Sequence, residues 1–206
     1  MDIRAFSPVE GLELAADGSW EAVTPTGTVR ANAVVVVAGP WSAQVVAAAG
    51  VDLDLSPVAI QMLVTERVES TMEHLVQHIG VGLSVKQVSA GQILIGGGWP
   101  ARSYNMTGRS EVSYESMLGN LELAVRILPF LRNFRILRTW AGPLAVTPDE
   151  MPVIGEVPGL PRMFMAAGTY AFTFAPLWAS ILTSLVKGQA PIVDVSDLGV
   201  KRLIRR

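Results

Sequence analysis

The sequence predicts a mixed α/β (α+β) chain in which two strand-turn-helix segments, one near each end, enclose an antiparallel sheet. Three observations carry this. An uninterrupted apolar run, Ala33-Val34-Val35-Val36-Val37, is followed by Gly39-Pro40 and a stretch of small residues. A second apolar run, Met163-Phe164-Met165-Ala166-Ala167, precedes a helical pattern of Leu177, Trp178, Ile181, Leu182, Leu185 and Val186. Between them polarity alternates or mixes in short runs. Continuous apolar runs suit strands buried on both faces of a parallel sheet, whereas alternation suits a sheet with one wet face.

Taken in order, residues 2–51 begin as a hairpin-like stretch with turns at Asp17-Gly18 and Thr26-Gly27, leading into the first apolar run. Gly39-Pro40 then opens a helix over residues 41–49, closed by Gly50. Beyond Leu53, residues 61–66, 81–88 and 92–95 read as antiparallel strands. One helix interrupts them, with Met117, Leu118, Leu121, Ala124, Val125 and Leu128 on one face, serines at its entry and Pro129 at its end. Residues 135–141 return to an extended pattern, 143–155 are turn-rich, and the second apolar run follows. Ala175-Pro176 opens the last helix, which stops at Gly188. The division this suggests is one domain from residues 1–52 and 133–206, with residues 53–132 inserted as a second.

Composition narrows the function by exclusion. With 206 residues, 50% of them hydrophobic and 17% charged, the chain can bury one large core or two small ones. A net charge of −2 and no basic run interleaved with aromatics exclude nucleic acid and anionic membrane as main partners. The basic ending, residues 201–206, reads as a solvated tail. Absence of cysteine excludes thiol catalysis, disulfides and cysteine-ligated metals, and points to a cytoplasmic location. No basic head followed by an apolar stretch opens the chain, so no secretory signal is expected. Residues 163–186 carry no charge and match the ~20 residues that cross a bilayer, but Gly168, Thr169, Thr173 and Pro176 break the pattern, so no span is expected.

Several motifs fail on context. Gly96-Gly97-Gly98-Trp99-Pro100-Ala101 fits the spacing of a dinucleotide fingerprint, but Arg102-Ser103-Tyr104-Asn105 follows where a helix should begin. A glycine-rich strand end or bulge accounts for it better. His74 and His78 would share a face of a helix over residues 71–78, as zinc-binding histidines do. No glutamate follows the first and no third ligand is evident, so no metal is expected. No Gly-x-Ser-x-Gly elbow occurs.

Residues 166–178 carry more. A strand ending at Gly168, an aromatic loop Thr169-Tyr170-Ala171-Phe172-Thr173-Phe174, and a helix start place free backbone N–H groups beside flat apolar rings. That combination suits a flat ligand that gains negative charge, but on chemistry alone an ordinary crossover with aromatic packing is the stronger reading.

Resemblance separates the two. Ala33-Val34-Val35-Val36-Val37-Ala38-Gly39-Pro40-Trp41-Ser42 resembles the "VVVAAGAWS" segment of the D-amino acid oxidase-like flavoproteins. Trp140-Ala141-Gly142 with Thr147-Pro148-Asp149-Glu150-Met151-Pro152-Val153-Ile154-Gly155 is similar to that family's "WAG…TPD..PIIG", and Phe172-Thr173-Phe174-Ala175-Pro176 to its "GFTLAP". Gln61 to Glu66 and Gln92 to Gly98 fall where the family has substrate-domain strands, closest to the sarcosine-oxidase-beta and opine- or hydroxyproline-dehydrogenase type. Each motif alone is common; four in order across nearly the whole chain are specific.

The resemblance implies the remnant of an FAD-binding Rossmann-like domain with an inserted antiparallel substrate domain, in an enzyme that oxidises a primary or secondary amine or amino acid to an imine. It implies FAD contacts at Ala38, Gly39, Trp41, Gly168, Thr169, Tyr170, Ala171, Phe172 and Thr173, and a substrate pocket lined by Trp140, Tyr170 and Arg138. Three departures accompany it. Leu144 stands where many members carry a carboxylate-binding arginine, Ala171 replaces a glycine, and the family's opening glycine fingerprint has no counterpart. Two expectations follow: a C-terminal part of a flavin-dependent oxidoreductase, whether an isolated piece of it, a split-gene product completed by another chain or a subunit of a larger dehydrogenase; or a non-catalytic homologue acting as a homo-oligomeric or partner-binding module.

Overall fold

The protein is described by a computed structural model covering residues 2–104 and 110–205; Asn105 and Arg206, which figure in the motifs above, lie outside the described residues. In chain order the strands and helices are β1 (Gly11–Leu14), β2 (Trp20–Thr24), β3 (Gly27–Ala31), β4 (Val34–Val36), α1 (Ser42–Ala47), β5 (Ser56–Arg67), β6 (Val76–His78), β7 (Leu83–Gln87), β8 (Gln92–Gly97), β9 (Ser103–Tyr104), β10 (Ser110–Glu111), α2 (Tyr114–Ile127), β11 (Ile136–Val146), β12 (Val153–Glu156), β13 (Met163–Ala167) and α3 (Ala171–Val186). They form two compact units, one from Met1–Pro57 and Ala145–Arg206, the other from Val58–Leu144. The chain passes from one to the other inside β5 and again inside β11.

The first unit holds two sheets. β1, β2 and β3 form an antiparallel meander, with Gly18 at φ +81° in its first turn and Gly27 at φ +128° leaving its second. Trp20 ties this meander to the core: it is buried and its indole N–H donates to Pro161 O at 2.9 Å. The other sheet has the order β12-β13-β4, antiparallel on one side of β13 and parallel on the other. All five residues of β13 are buried, because both faces are covered. Met163, Met165 and Ala167 face one cluster with Val36 and Val46, while Phe164 and Ala166 pack against Trp178, Ile181 and Leu182 of α3. α3 begins at Ala171 rather than at Ala175-Pro176, so Pro176 sits inside the helix. Its missing N–H forfeits one hydrogen bond in the second turn, a position the surrounding packing tolerates.

β4 departs from the expectation of burial on both faces. Only Val36 is buried, because β4 is an edge strand among the described residues. The basic ending also differs from a solvated tail. Val200 and Leu203 are buried in the core, Leu53 bridges to Ile204, and Arg205 pairs with Asp54 at 2.9 Å. Apolar residues alternating with arginines let this segment lay hydrocarbon inward while the charged heads reach outward.

The second unit is a five-stranded sheet, β11-β5-β8-β7-β6, covered on one face by α2. Its strands alternate: Ala59, Gln61, Leu63 and Thr65 of β5 are buried and the intervening residues are more open. Residues 71–78 form no helix; His78 lies in β6, paired with Leu83, and His74 lies in a bend before it. The β-branched Val76 paired with Val85 supports a strand here, so the two histidines do not share a helix face. Gly96 and Gly97 end β8 because side chains would collide there. A Cβ on Gly96 would lie 2.1 Å from Met62 Sδ, and one on Gly97 would lie 1.7 Å from Gly82 O.

α2 buries Ser116, Asn120, Leu123 and Ala124, and leaves Leu118 exposed. The buried stripe is therefore rotated from the purely apolar face of the sequence pattern. Two contacts explain it. Ser113 caps the helix by accepting from Ser116 N, and the buried Gln61 amide brackets Ser113, donating to its carbonyl at 3.1 Å and accepting from its N–H at 2.7 Å. Trp99 lies over Gly119, where a Cβ would come within 2.3 Å of the indole.

Candidate active site

β4 and β13 run parallel, with Val34 beside Met163 and Val36 beside Met165. Their C-terminal ends therefore deliver Ala38-Gly39 and Gly168-Thr169 to the same edge of the sheet. In open α/β sheets this is the edge at which ligands bind. Gly39 (φ +54°) starts a short 3-10 turn through Trp41, which is 38% exposed. Ser42 follows, fully buried as the first residue of α1, and its Oγ has no hydrogen-bond partner among the described residues.

The second segment is more constrained. Gly168 is buried at φ +102°, and Tyr170, at φ +66°, is the left-handed N-cap of α3 with no side-chain cap bond. Phe174 donates to Tyr170 O at 3.1 Å, closing the first helical turn. The N–H groups of Ala171, Phe172 and Thr173 precede that bond and have no acceptor among the described residues. They carry the partial positive charge of a helix start, and no acidic side chain lies in the first turn to offset it. Thr169 Oγ1 is buried without a partner. The Tyr170 and Phe174 rings meet edge to face at 6.4 Å, and Phe172 is 98% exposed.

A turn behind this loop holds it in place. Thr147 Oγ1 donates to Met151 O at 2.6 Å, Met151 N donates to Asp149 at 3.1 Å, and Glu150 takes φ +58°. Arg202 clamps the turn, bonding to Asp149 and to the carbonyls of Met151 and Pro152. Burial works against the Asp149 carboxylate, but the Met151 N–H and the Arg202 guanidinium outweigh it and hold its pKa below the usual 3.8.

The structure thus places Ala38, Gly39 and Trp41 together with the segment from Gly168 to Thr173 at one edge of the first unit. Arg138 and Trp140 lie in the second unit on β11, where the guanidinium carbon sits 5.3 Å from the centre of the indole. Arg138 is exposed and Trp140 half-buried, so this stacked cation is open to an anion. Leu144, at the far end of the same strand, is an exposed apolar side chain. Sequence reasoning missed Ser42. Its only signal is its place directly after Trp41, and the orphaned hydroxyl becomes visible only once the helix buries it.

Residues 1–185 match the family model described as FAD dependent oxidoreductase. Glycine oxidase of Pseudomonas putida is 30% identical over 173 residues, covering 83% of this chain and 46% of that protein. The crystal structure of glycine oxidase from Geobacillus kaustophilus superposes with a TM-score of 0.86 at 24% identity, over 99% of this chain and 54% of that one. L-proline dehydrogenase from P. horikoshii superposes with a TM-score of 0.81 at 27% identity, over 90% of this chain and 50% of that one. The chain spans about half the length of the glycine oxidases it matches. With the family model matching most of its length, the chain belongs to the FAD-dependent oxidoreductases, the family whose cofactor is FAD.

Proposed function

We propose that the chain is the C-terminal part of a flavin-dependent oxidoreductase that oxidises a small primary or secondary amine or amino acid to an imine. The observation that carries this reading is the sheet edge where two adjacent parallel strands end beside free helix-start N–H groups, with the buried hydroxyls of Thr169 and Ser42 close in sequence and without partners among the described residues. Buried polar groups without partners are costly, and a polar, flat cofactor seated at this edge gives them one. The first unit then reads as a Rossmann-like remnant and the second as the inserted substrate domain.

FAD, when bound, supplies the two-electron oxidant that takes hydride from the carbon next to the amine nitrogen. The residues of this chain do the rest. The N–H groups of Ala171, Phe172 and Thr173 would stabilise negative charge on the bound cofactor without reorganising. Gly168 and Gly39 keep the backbone close at the positions where a side chain would intrude. Ala38 and Trp41, next to Gly39 at the end of β4, would help to hold the cofactor. On the second unit, Arg138 attracts a substrate carboxylate through the charge it holds over Trp140; on the first, Tyr170 offers its exposed ring at the sheet edge. Water hydrolyses the released imine outside the site.

The relatives support the substrate class, since the glycine oxidases and the L-proline dehydrogenase are named for small amino acids. Titration of the purified chain with FAD, followed by flavin fluorescence, tests the cofactor site. Saturable binding that Thr169→Val weakens is expected. A chain that leaves flavin fluorescence unchanged even when mixed with the remaining half of the family fold refutes the reading and favours the partner-binding module, which the exposed Val35, Val37 and Phe172 would serve.

A further inference from the structure

We infer that Arg202, in the C-terminal segment, is a positioning residue for the cofactor loop: it fixes the backbone against which residues 168–173 take the shape that presents their free N–H groups. This rests on the reading that those N–H groups face FAD.

Arg202 lies outside residues 1–185, the part that matches the family model. Its segment is nevertheless built into the first unit at two separate places. Near residues 52–54, Asp54 N donates to Leu203 O at 2.7 Å, Arg205 N donates to Asp52 O at 3.1 Å, and the Arg205 guanidinium pairs with Asp54 at 2.9 Å. Arg202 reaches elsewhere. One of its terminal nitrogens bonds to Asp149, and the other donates to the carbonyls of both Met151 and Pro152. Its side chain is only 21% exposed.

The type of residue matters here. Two carbonyls of consecutive residues that converge on one point repel each other, so the arrangement depends on a donor between them. A guanidinium is planar and carries its donors in a fixed fork, so it can meet a carboxylate and both carbonyls at once. A lysine would bring the charge without the fork.

The position of Pro152 passes directly to the loop. Val153 of β12 is opposite Ala167 of β13, so one step further along the same register Pro152 meets Gly168. Proline has no N–H to give, and no backbone hydrogen bond joins Pro152 to Gly168 among the described residues. The sheet ladder therefore does not hold this pair. Arg202 holds Pro152 by its carbonyl, and Pro152 limits Gly168 by close contact, with its Cα 3.2 Å from where a Gly168 Cβ would lie. Gly168 at φ +102° leads within two residues to Tyr170 at φ +66°, and the Tyr170 carbonyl accepts the Phe174 N–H at 3.1 Å to close the first turn of α3.

The test uses the intact chain and reads the loop without flavin. Amide hydrogen exchange at Phe174 is divided by that at Leu182, further along α3, so that a change in overall stability cancels. Wild type is compared with Arg202→Met, Arg202→Lys and Arg205→Met. The last loosens the same segment at residues 52–54 without touching residues 147–152. The expected result is a ratio raised about tenfold in Arg202→Met, raised less in Arg202→Lys, and unchanged in Arg205→Met even as its melting temperature falls. Flavin fluorescence titration of the same proteins should show affinity about fivefold weaker in Arg202→Met and unaltered in Arg205→Met. If Arg202→Met does not fold, Arg202→Lys decides by the same ratio. The inference is overturned if the ratio stays at its wild-type value in the Arg202 variants, if Arg205→Met raises it equally, or if flavin binds wild type and Arg202→Met with equal affinity. A wild type that takes up no flavin overturns the cofactor reading alone, and the exchange ratio still decides whether Arg202 positions the loop.

Discussion

Gly168 backs directly onto Pro152: a Cβ on Gly168 would lie 3.2 Å from Pro152 Cα, with Met151 O and Thr147 Cγ2 each 3.6 Å away. The turn from Thr147 to Pro152 and the loop from Gly168 to Tyr170 are therefore one mechanical unit. Arg202 holds the first, and the first limits the second.

Gly168→Ala should destabilise the first unit by about 1–3 kcal/mol, because the substitution combines a φ of +102° with contact against backbone that cannot yield freely. Urea denaturation measures this, and an unchanged midpoint would show that the turn gives way.

Asp149→Asn should lower the melting temperature at neutral pH and change nothing in strong acid. The folded carboxylate has its pKa depressed below 3.8. Its contribution is therefore complete above that value and is lost as pH falls through the folded pKa. Melting curves of wild type and variant across pH 2–7 should coincide in strong acid, separate as pH rises through the depressed folded pKa, and stay fully apart above ~4.

Thr169→Val separates folding from cofactor binding. The hydroxyl has no partner among the described residues, so its loss should be neutral or slightly stabilising to the fold. If it is a ligand to FAD, affinity should fall by about fivefold to tenfold, the worth of one hydrogen bond. Equal affinities would remove Thr169 from the site.

Gly119→Ala tests the Trp99 contact. On an exposed helix this change stabilises by up to ~1 kcal/mol. Here the new methyl group would meet the indole, and overpacking typically costs about 1–3 kcal/mol. The variant should unfold at lower denaturant, with altered near-ultraviolet circular dichroism from the displaced ring.

Arg138→Met should raise KM for an anionic amino-acid substrate about tenfold or more in the flavin-loaded, completed enzyme, with kcat little changed, while a neutral amine is unaffected. Equal effects on both substrates would assign Arg138 to structure instead.

Part of this design is local, and the sequence reports it directly. The continuous run Met163 to Ala167 marks a buried strand, and all five residues are buried. The alternation in residues 61–66 and 92–95 marks antiparallel strands, and Leu63 pairs with Ile95. The turn glycines 18 and 27 take the positive φ that their dipeptides suggest. Four motifs in order also carry the family, since each is a short backbone arrangement written in consecutive residues.

Other features depend on partners distant in the chain. Val34 to Val36 reads like Met163 to Ala167, but one is an edge and the other is covered twice, because coverage depends on which element lies alongside. The histidines of residues 71–78 have helical spacing, yet β7 draws His78 into a strand. Arg202, Leu203 and Ile204 look like a charged tail until Asp149 and Leu53 are placed beside them. The orphaned hydroxyls of Ser42 and Thr169 have no signature at all in the sequence. Composition and periodicity fix what a segment tends to form, but burial and hydrogen-bond satisfaction depend on neighbours that only the tertiary fold brings together.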